Sequence, residues 1–154
     1  MKKIILFLAI VFASTISLNA QQKEKAIEKA ILTYIENFFE NKFEAMNSVL
    51  HPRLSKRGLN PDGSIYKDLP PSELKKMLSN KKPFPKKKQK NSVEGITIFG
   101  RTATARLNTG QGRVKWAEFI HLIKIDGQWK IIDIFWEYYP REKGAKGQKR
   151  KKKN

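Results

Sequence analysis

Apolar positions recur with different periods along the chain, and the changes of period mark its parts. Ile4 to Ile16 is a continuous apolar run relieved only by small Ala, Ser and Thr. From Ile27 the spacing becomes three and four (Ile27, Ala30, Ile31, Tyr34, Phe38), with Glu24, Lys25, Glu28 and Lys29 on the other side. That pattern predicts an amphipathic helix. Asn41-Lys42 interrupts it, and Phe43 to Leu50 reads as a second short helix. Pro52 pushes His51 toward extended geometry and ends that helix. Arg53 to Leu69, which contains Asn60-Pro61-Asp62-Gly63, reads as loop. Ser72 to Leu78, entered through Pro70-Pro71, predicts a third short helix. Lys81 to Lys90 reads as an exposed Lys/Pro loop.

The period then becomes two. Val93–Phe99 and Thr102–Leu107 flank a turn at Gly100-Arg101, and Gly110-Gln111-Gly112 makes the next turn. Val114 to Ile125 is a long strand, Asp126-Gly127 is a two-residue hairpin signal, and Gln128 to Tyr138 returns until Pro140. Helices followed by an antiparallel meander predict one α+β domain, with the helices packed on one face of the sheet.

The two ends belong to something else. Lys2 and Lys3 precede the apolar run, and Ser17-Leu18-Asn19-Ala20 offers a cleavage site before Gln21-Gln22, the three-part pattern of a secretory signal. A membrane anchor is the rival reading, but the apolar core falls short of the ~20 residues that span a bilayer. The expected organisation is a signal peptide over 1–20, a domain over 21–140 and a disordered basic tail over 141–154. The protein is therefore expected to be exported, to the periplasm or outside the cell.

Charge changes the picture less than its total suggests. The formal net charge is +18, yet Asn80–Lys90 carries six lysines and no acid, and Arg141–Asn154 carries a net +7. The two segments and the presequence lysines hold most of the excess, leaving the folded part at about +3. Lys149 to Lys153 can meet an anionic envelope surface, but it lacks the interleaved aromatics of a single-strand binder, so no specific nucleic acid is expected. With no cysteine there is neither a disulfide framework nor a thiolate site. Two histidines without metal-ligand spacing, and no glycine-rich phosphate loop, leave no metal and no cofactor expected.

Three segments carry a resemblance. Tyr34-Ile35-Glu36, then Leu50-His51-Pro52-Arg53-Leu54-Ser55-Lys56-Arg57-Gly58, then Phe119 to Ile131 with its Asp126-Gly127-Gln128-Trp129 hairpin and the later Trp136-Glu137, stand in order and spacing over Ala26 to Pro140. The chain resembles the Putative lumazine-binding family of the nuclear transport factor 2-like superfamily. The resemblance implies a conical fold, in which a curved antiparallel sheet closes over the helices and leaves a pocket at the wide end. It also implies a homodimer formed through the open sheet face. Superfamily members include isomerases and dehydratases beside non-catalytic binding domains, so fold alone does not choose between them.

The candidate residues follow from chemistry and parity. His51, where the second helix ends, can be a general base or a ligand contact, or merely bond to backbone. On the long strand Trp116, Glu118, Ile120 and Leu122 share one face, and Ala117, Phe119, His121 and Ile123 the other. An inward Glu118 among Trp and Ile can act as a base. Glu118 and His121 cannot both enter one pocket from a regular strand. Lys56 and Arg57 are candidate anion clamps, and His121 and Trp136 candidate ligand contacts. Trp129 and Trp136 have opposite parity, so one is expected in the core and the other facing the cavity or solvent. Three functions remain open: a small-ligand-binding domain without catalysis, a proton-transfer enzyme using His51 with Glu118, and an envelope protein docking through its tail.

Overall fold

The computed structural model describes the backbone of residues 2–140 and the side chains of residues 20–140. The proposed basic tail over 141–154 lies outside the described residues.

The first helix, α1 (Lys2–Phe39), is continuous through the expected cleavage site. Its stripe of Ile27, Ile31, Tyr34, Ile35 and Phe38 is buried, as the spacing predicts. Each fully buried Ile or Leu of this kind contributes about 1.5–3 kcal/mol. The helix stops because Asn41 turns left-handed (φ 59) and the Lys42 N–H reaches back to the Asn37 carbonyl at 2.9 Å. This six-to-one bond closes orphan carbonyls that α1 would otherwise leave open. The second helix, α2 (Phe43–Asn47), is shorter than its pattern predicts, since Leu50 already belongs to a strand.

That strand, β1 (Leu50–Leu59), replaces the loop expected from Arg53 onward. From Arg53 onward its inward positions are Leu54, Lys56 and Gly58. Only the first is apolar, so the alternation that normally betrays a strand is hidden. Pro52 is tolerated because β1 is an edge strand and its pairing is irregular between Leu50 and Ser55. The third helix, α3 (Pro71–Ser79), starts on a proline and buries Leu74 and Leu78, one turn apart. The Lys/Pro segment after it contains one short 3₁₀ turn, Lys86–Lys88. It is tied to the end of α1 by the Phe84 N–H on the Phe39 carbonyl at 2.7 Å.

The remaining strands are β2 (Ser92–Phe99), β3 (Thr102–Gln111), β4 (Val114–Ile125) and β5 (Gln128–Tyr138), an antiparallel meander. The sheet order is β1-β5-β4-β3-β2, with β1 parallel to β5. The sheet is thus mixed rather than wholly antiparallel. Asp126 (φ 49) and Gly127 (φ 80) both sit left-handed, as a tight hairpin with matched twist requires.

Parity on β4 is as expected: Glu118, Ile120 and Leu122 point in, whereas Phe119 and His121 point out. Parity on β5 is not. His121 pairs with Asp133 but Leu122 with Ile131, so Ile132 is an extra residue. This bulge flips the alternation partway along, and Trp129, Ile131, Ile134 and Trp136 all become inward. The two tryptophans therefore lie on the same face. The core lies between that face and α1, where Leu107, Ile120, Leu122, Ile131 and Ile134 meet Ile27, Ile31 and Ile35.

Candidate functional site

At the β1/β5/β4 end of the inner face, three strands present polar groups to one another. Register sets Gly58 of β1 beside Trp136 of β5 and Trp136 beside Glu118 of β4. Two residues back on β1, Lys56 also points inward, and Tyr34 arrives from α1. The Lys56 ammonium lies 2.6 Å from Glu118 Oε1 and donates to the Tyr34 hydroxyl at 2.8 Å. The Tyr34 hydroxyl donates in turn to Glu118 Oε2 at 2.9 Å. Trp116 Nε1–H donates to Glu118 Oε1 at 3.0 Å. Lys56 is 4% exposed and Glu118 1%.

Isolated charges at that depth are costly, and they persist only when paired and hydrogen-bonded. Here every acceptor atom of Glu118 has a donor. Burial is the largest influence on Lys56 and pushes its pKa down, while Glu118 pulls it back up. Burial, reinforced by the Glu118 charge, holds the Tyr34 phenol well above its ordinary value. The Lys56 ammonium also lies over the Tyr34 and Phe38 rings, 5.4 and 5.9 Å from their centroids.

Beside this triangle is a cavity of about 230 Å³. Its wall is largely aromatic: Phe38, Tyr66, Trp116, Trp136 and Tyr138. Trp136 packs edge-on to Tyr138 at 5.1 Å and tilted against Tyr66 at 5.8 Å. The polar lining is Lys56, Glu118, Asn60 and Lys81. Gly58 makes this wall possible, because a Cβ there would fall inside the Trp136 indole and on its carbonyl oxygen. A larger, shallow depression of about 480 Å³ lies on the outer face, where Glu94 and Arg106 pair with each other beside Phe119 and His121.

Glu118, Lys56 and Trp136 are therefore brought together. The other expected residues are not among them. His51 stands at the far end of β1 beside α2, where its Nδ1 accepts the Arg53 N–H at 3.1 Å. Leu50 aligns with Ile131 and Glu118 with Trp136, so His51 and Glu118 are separated by roughly 15 Å of strand at ~3.3 Å per residue. Arg57 and His121 lie on the outer face and share Asp133. Arg57 pairs with Asp68 at 3.0 Å and lies 3.9 Å from Asp133, while His121 Nδ1 lies 3.2 Å from Asp133.

Sequence reasoning missed Tyr34, Trp116 and Lys81 at this site. A hydroxyl on the core stripe of α1 was a usable signal, since a buried Tyr needs a partner. Lys81 had none, being one of six lysines in a charge run. Among the described residues no group of three or more potential ligands could hold a metal.

The chain matches the family model described as Putative lumazine-binding over residues 22–137. No curated protein matches it. Among solved structures it is similar to a nuclear transport factor 2-like protein of unknown function from Shewanella baltica. That match has 22% identity and a TM-score of 0.68, covering 78% of this chain and 96% of the other. A second such protein of unknown function, from Silicibacter pomeroyi, shows 12% identity and a TM-score of 0.70, covering 78% and 98%. A ketosteroid isomerase-like protein from Erwinia carotovora atroseptica shows 14% identity and a TM-score of 0.61, covering 76% and 96%. At these identities the structural likenesses establish the shared fold. The family match spans most of the chain, and the chain belongs to the Putative lumazine-binding family, with a fold of the nuclear transport factor 2-like kind.

Proposed function

We propose that the domain is a non-catalytic binding module that holds a small, largely apolar molecule against the aromatic wall of its inner cavity. One observation carries this reading: the cavity's carboxylate is already committed. Glu118 accepts from Lys56, Tyr34 and Trp116, so it acts as an anchor for the pocket floor rather than a base awaiting a proton. The family description supports a small ligand. A proton-transfer reading finds support in the likeness to a ketosteroid isomerase-like protein. It lacks the convergence of His51 and Glu118 that a shared proton needs.

The test is native mass spectrometry of the chain purified from its host, beside a variant in which Met77, which also lines the cavity, is enlarged to fill it (Met77→Trp). A small-molecule adduct on the wild type, absent from the variant, is expected. Bare chain mass in both would refute the binding reading.

Export belongs to the same proposal, supported by the family match beginning at residue 22, directly after the expected cleavage at Ala20. Intact mass of the mature protein should correspond to a chain starting at Gln21. A homodimer through the outer sheet face is supported by its exposed Phe119, at 50%. Analytical ultracentrifugation should show a dimer that Phe119→Glu dissociates, and a monomeric wild type would refute it.

A further inference from the structure

We infer that the ligand is a flat monocarboxylate whose carboxylate sits between Lys81 and Lys56 while its apolar body lies on the aromatic wall. The inference rests on the cavity being a binding site and adds the class of ligand.

Two ammonium groups and one carboxylate line this cavity, so its lining carries one uncompensated positive charge. The carboxylate, Glu118, is fully engaged within the protein. Lys56 has three N–H donors and uses two of them, on Tyr34 and Glu118, which leaves one for a ligand. The Lys81 ammonium also lies over the Phe38 ring, 4.4 Å from its centroid, beside that of Lys56 at 5.9 Å. Among the described residues no carboxylate stands within ion-pair distance of Lys81. Its pKa is lowered, first by burial and then by repulsion from Lys56. A half-buried cation facing a like charge is a cost that a bound anion would relieve.

Charge and volume narrow the class. A single negative charge balances the lining, whereas a phosphate dianion overshoots it. The 230 Å³ cavity is smaller than the ~300–1,000 Å³ of pockets for drug-sized ligands, so the body is about one or two fused rings. Trp116, Trp136 and Tyr138 offer ring edges and faces suited to a flat molecule.

The probes are 2-naphthoate and its neutral amide, 2-naphthamide, titrated into the purified chain while the three tryptophan indole N–H signals are followed by NMR. Trp116 and Trp136 line the cavity, and Trp129, buried elsewhere on β5, serves as the internal control. The carboxylate should shift Trp116 and Trp136 but not Trp129, and bind at least ten-fold more tightly than the amide. Lys81→Met should abolish that preference without weakening the amide, and Lys81→Arg should restore it. Equal affinity for both probes would overturn the monocarboxylate and leave the binding cavity standing. A preference that survives Lys81→Met would also overturn it, by moving the anion elsewhere. No shift at Trp116 or Trp136 with either probe would overturn both the inference and the binding reading beneath it.

Discussion

Replacing Lys56 with Met keeps most of the buried stem and deletes the charge, which makes it the sharpest probe of the inner polar triangle. The pair is 2.6 Å apart, with side chains only 5% and 2% exposed. Surface pairs contribute ~0–1 kcal/mol, but removing one partner of a buried pair costs about 3–5 kcal/mol because the other charge is stranded. For a domain of this size about 3–5 °C of Tm follows each kcal/mol, so a fall of roughly 10–20 °C is expected. Urea unfolding followed by circular dichroism should show the same loss as a lower midpoint at unchanged slope.

The magnitude belongs to the stranded charge, and a second substitution checks that attribution. Lys56→Met with Glu118→Gln removes both charges, and the amide oxygen still accepts from Trp116 while the amide NH2 donates to the Tyr34 hydroxyl in place of Lys56. The double variant should therefore regain at least half of the lost stability. A single variant within about 1 kcal/mol of wild type at pH 7, or a double variant no better than the single, would refute the reasoning.

The remaining predictions concern the same wall and its surroundings. Tyr34→Phe removes the donor to Glu118 Oε2 and the acceptor for Lys56, and should cost about 1–3 kcal/mol in urea unfolding. A loss below 0.5 kcal/mol would mean that solvent replaces the hydroxyl. Gly58→Ala drives a methyl into Trp136, so a loss of about 1–3 kcal/mol or more is expected, together with a changed Trp136 indole signal. His121→Ala deletes an exposed partner of Asp133 and should change stability by less than about 0.5 kcal/mol. Probe binding in the cavity should be unaffected, and a weakened site would mean that the outer and inner faces are coupled.

Much of the frame was legible because local pattern and tertiary burial agree there. The face of α1, the Pro70-Pro71 entry to α3, the Asp126-Gly127 hairpin and the shared face of Glu118, Ile120 and Leu122 follow from spacing and turn chemistry alone. These features need only the nearest residues to be decided. Where the pattern failed, a long-range contact had overridden it. The β1 strand hides because its inward positions beyond Leu54 are a lysine and a glycine, and each is inward for a reason lying far along the chain. Lys56 finds Glu118, and Gly58 makes room for Trp136. The extra residue at Ile132 likewise left no mark in the sequence, yet it turns Trp129 and Trp136 to one side.

By itself, then, the sequence determined the order of helices and strands apart from β1, a charge excess gathered into one internal segment and one terminal segment, and a family resemblance. Only the tertiary structure decided which of the many ionisable residues are buried together. Burial and pairing arise from side chains as distant as Tyr34 and Glu118, and no local period encodes them. That is why Lys56, one lysine among many, sits at the floor of the cavity while His51 and His121 stand away from it.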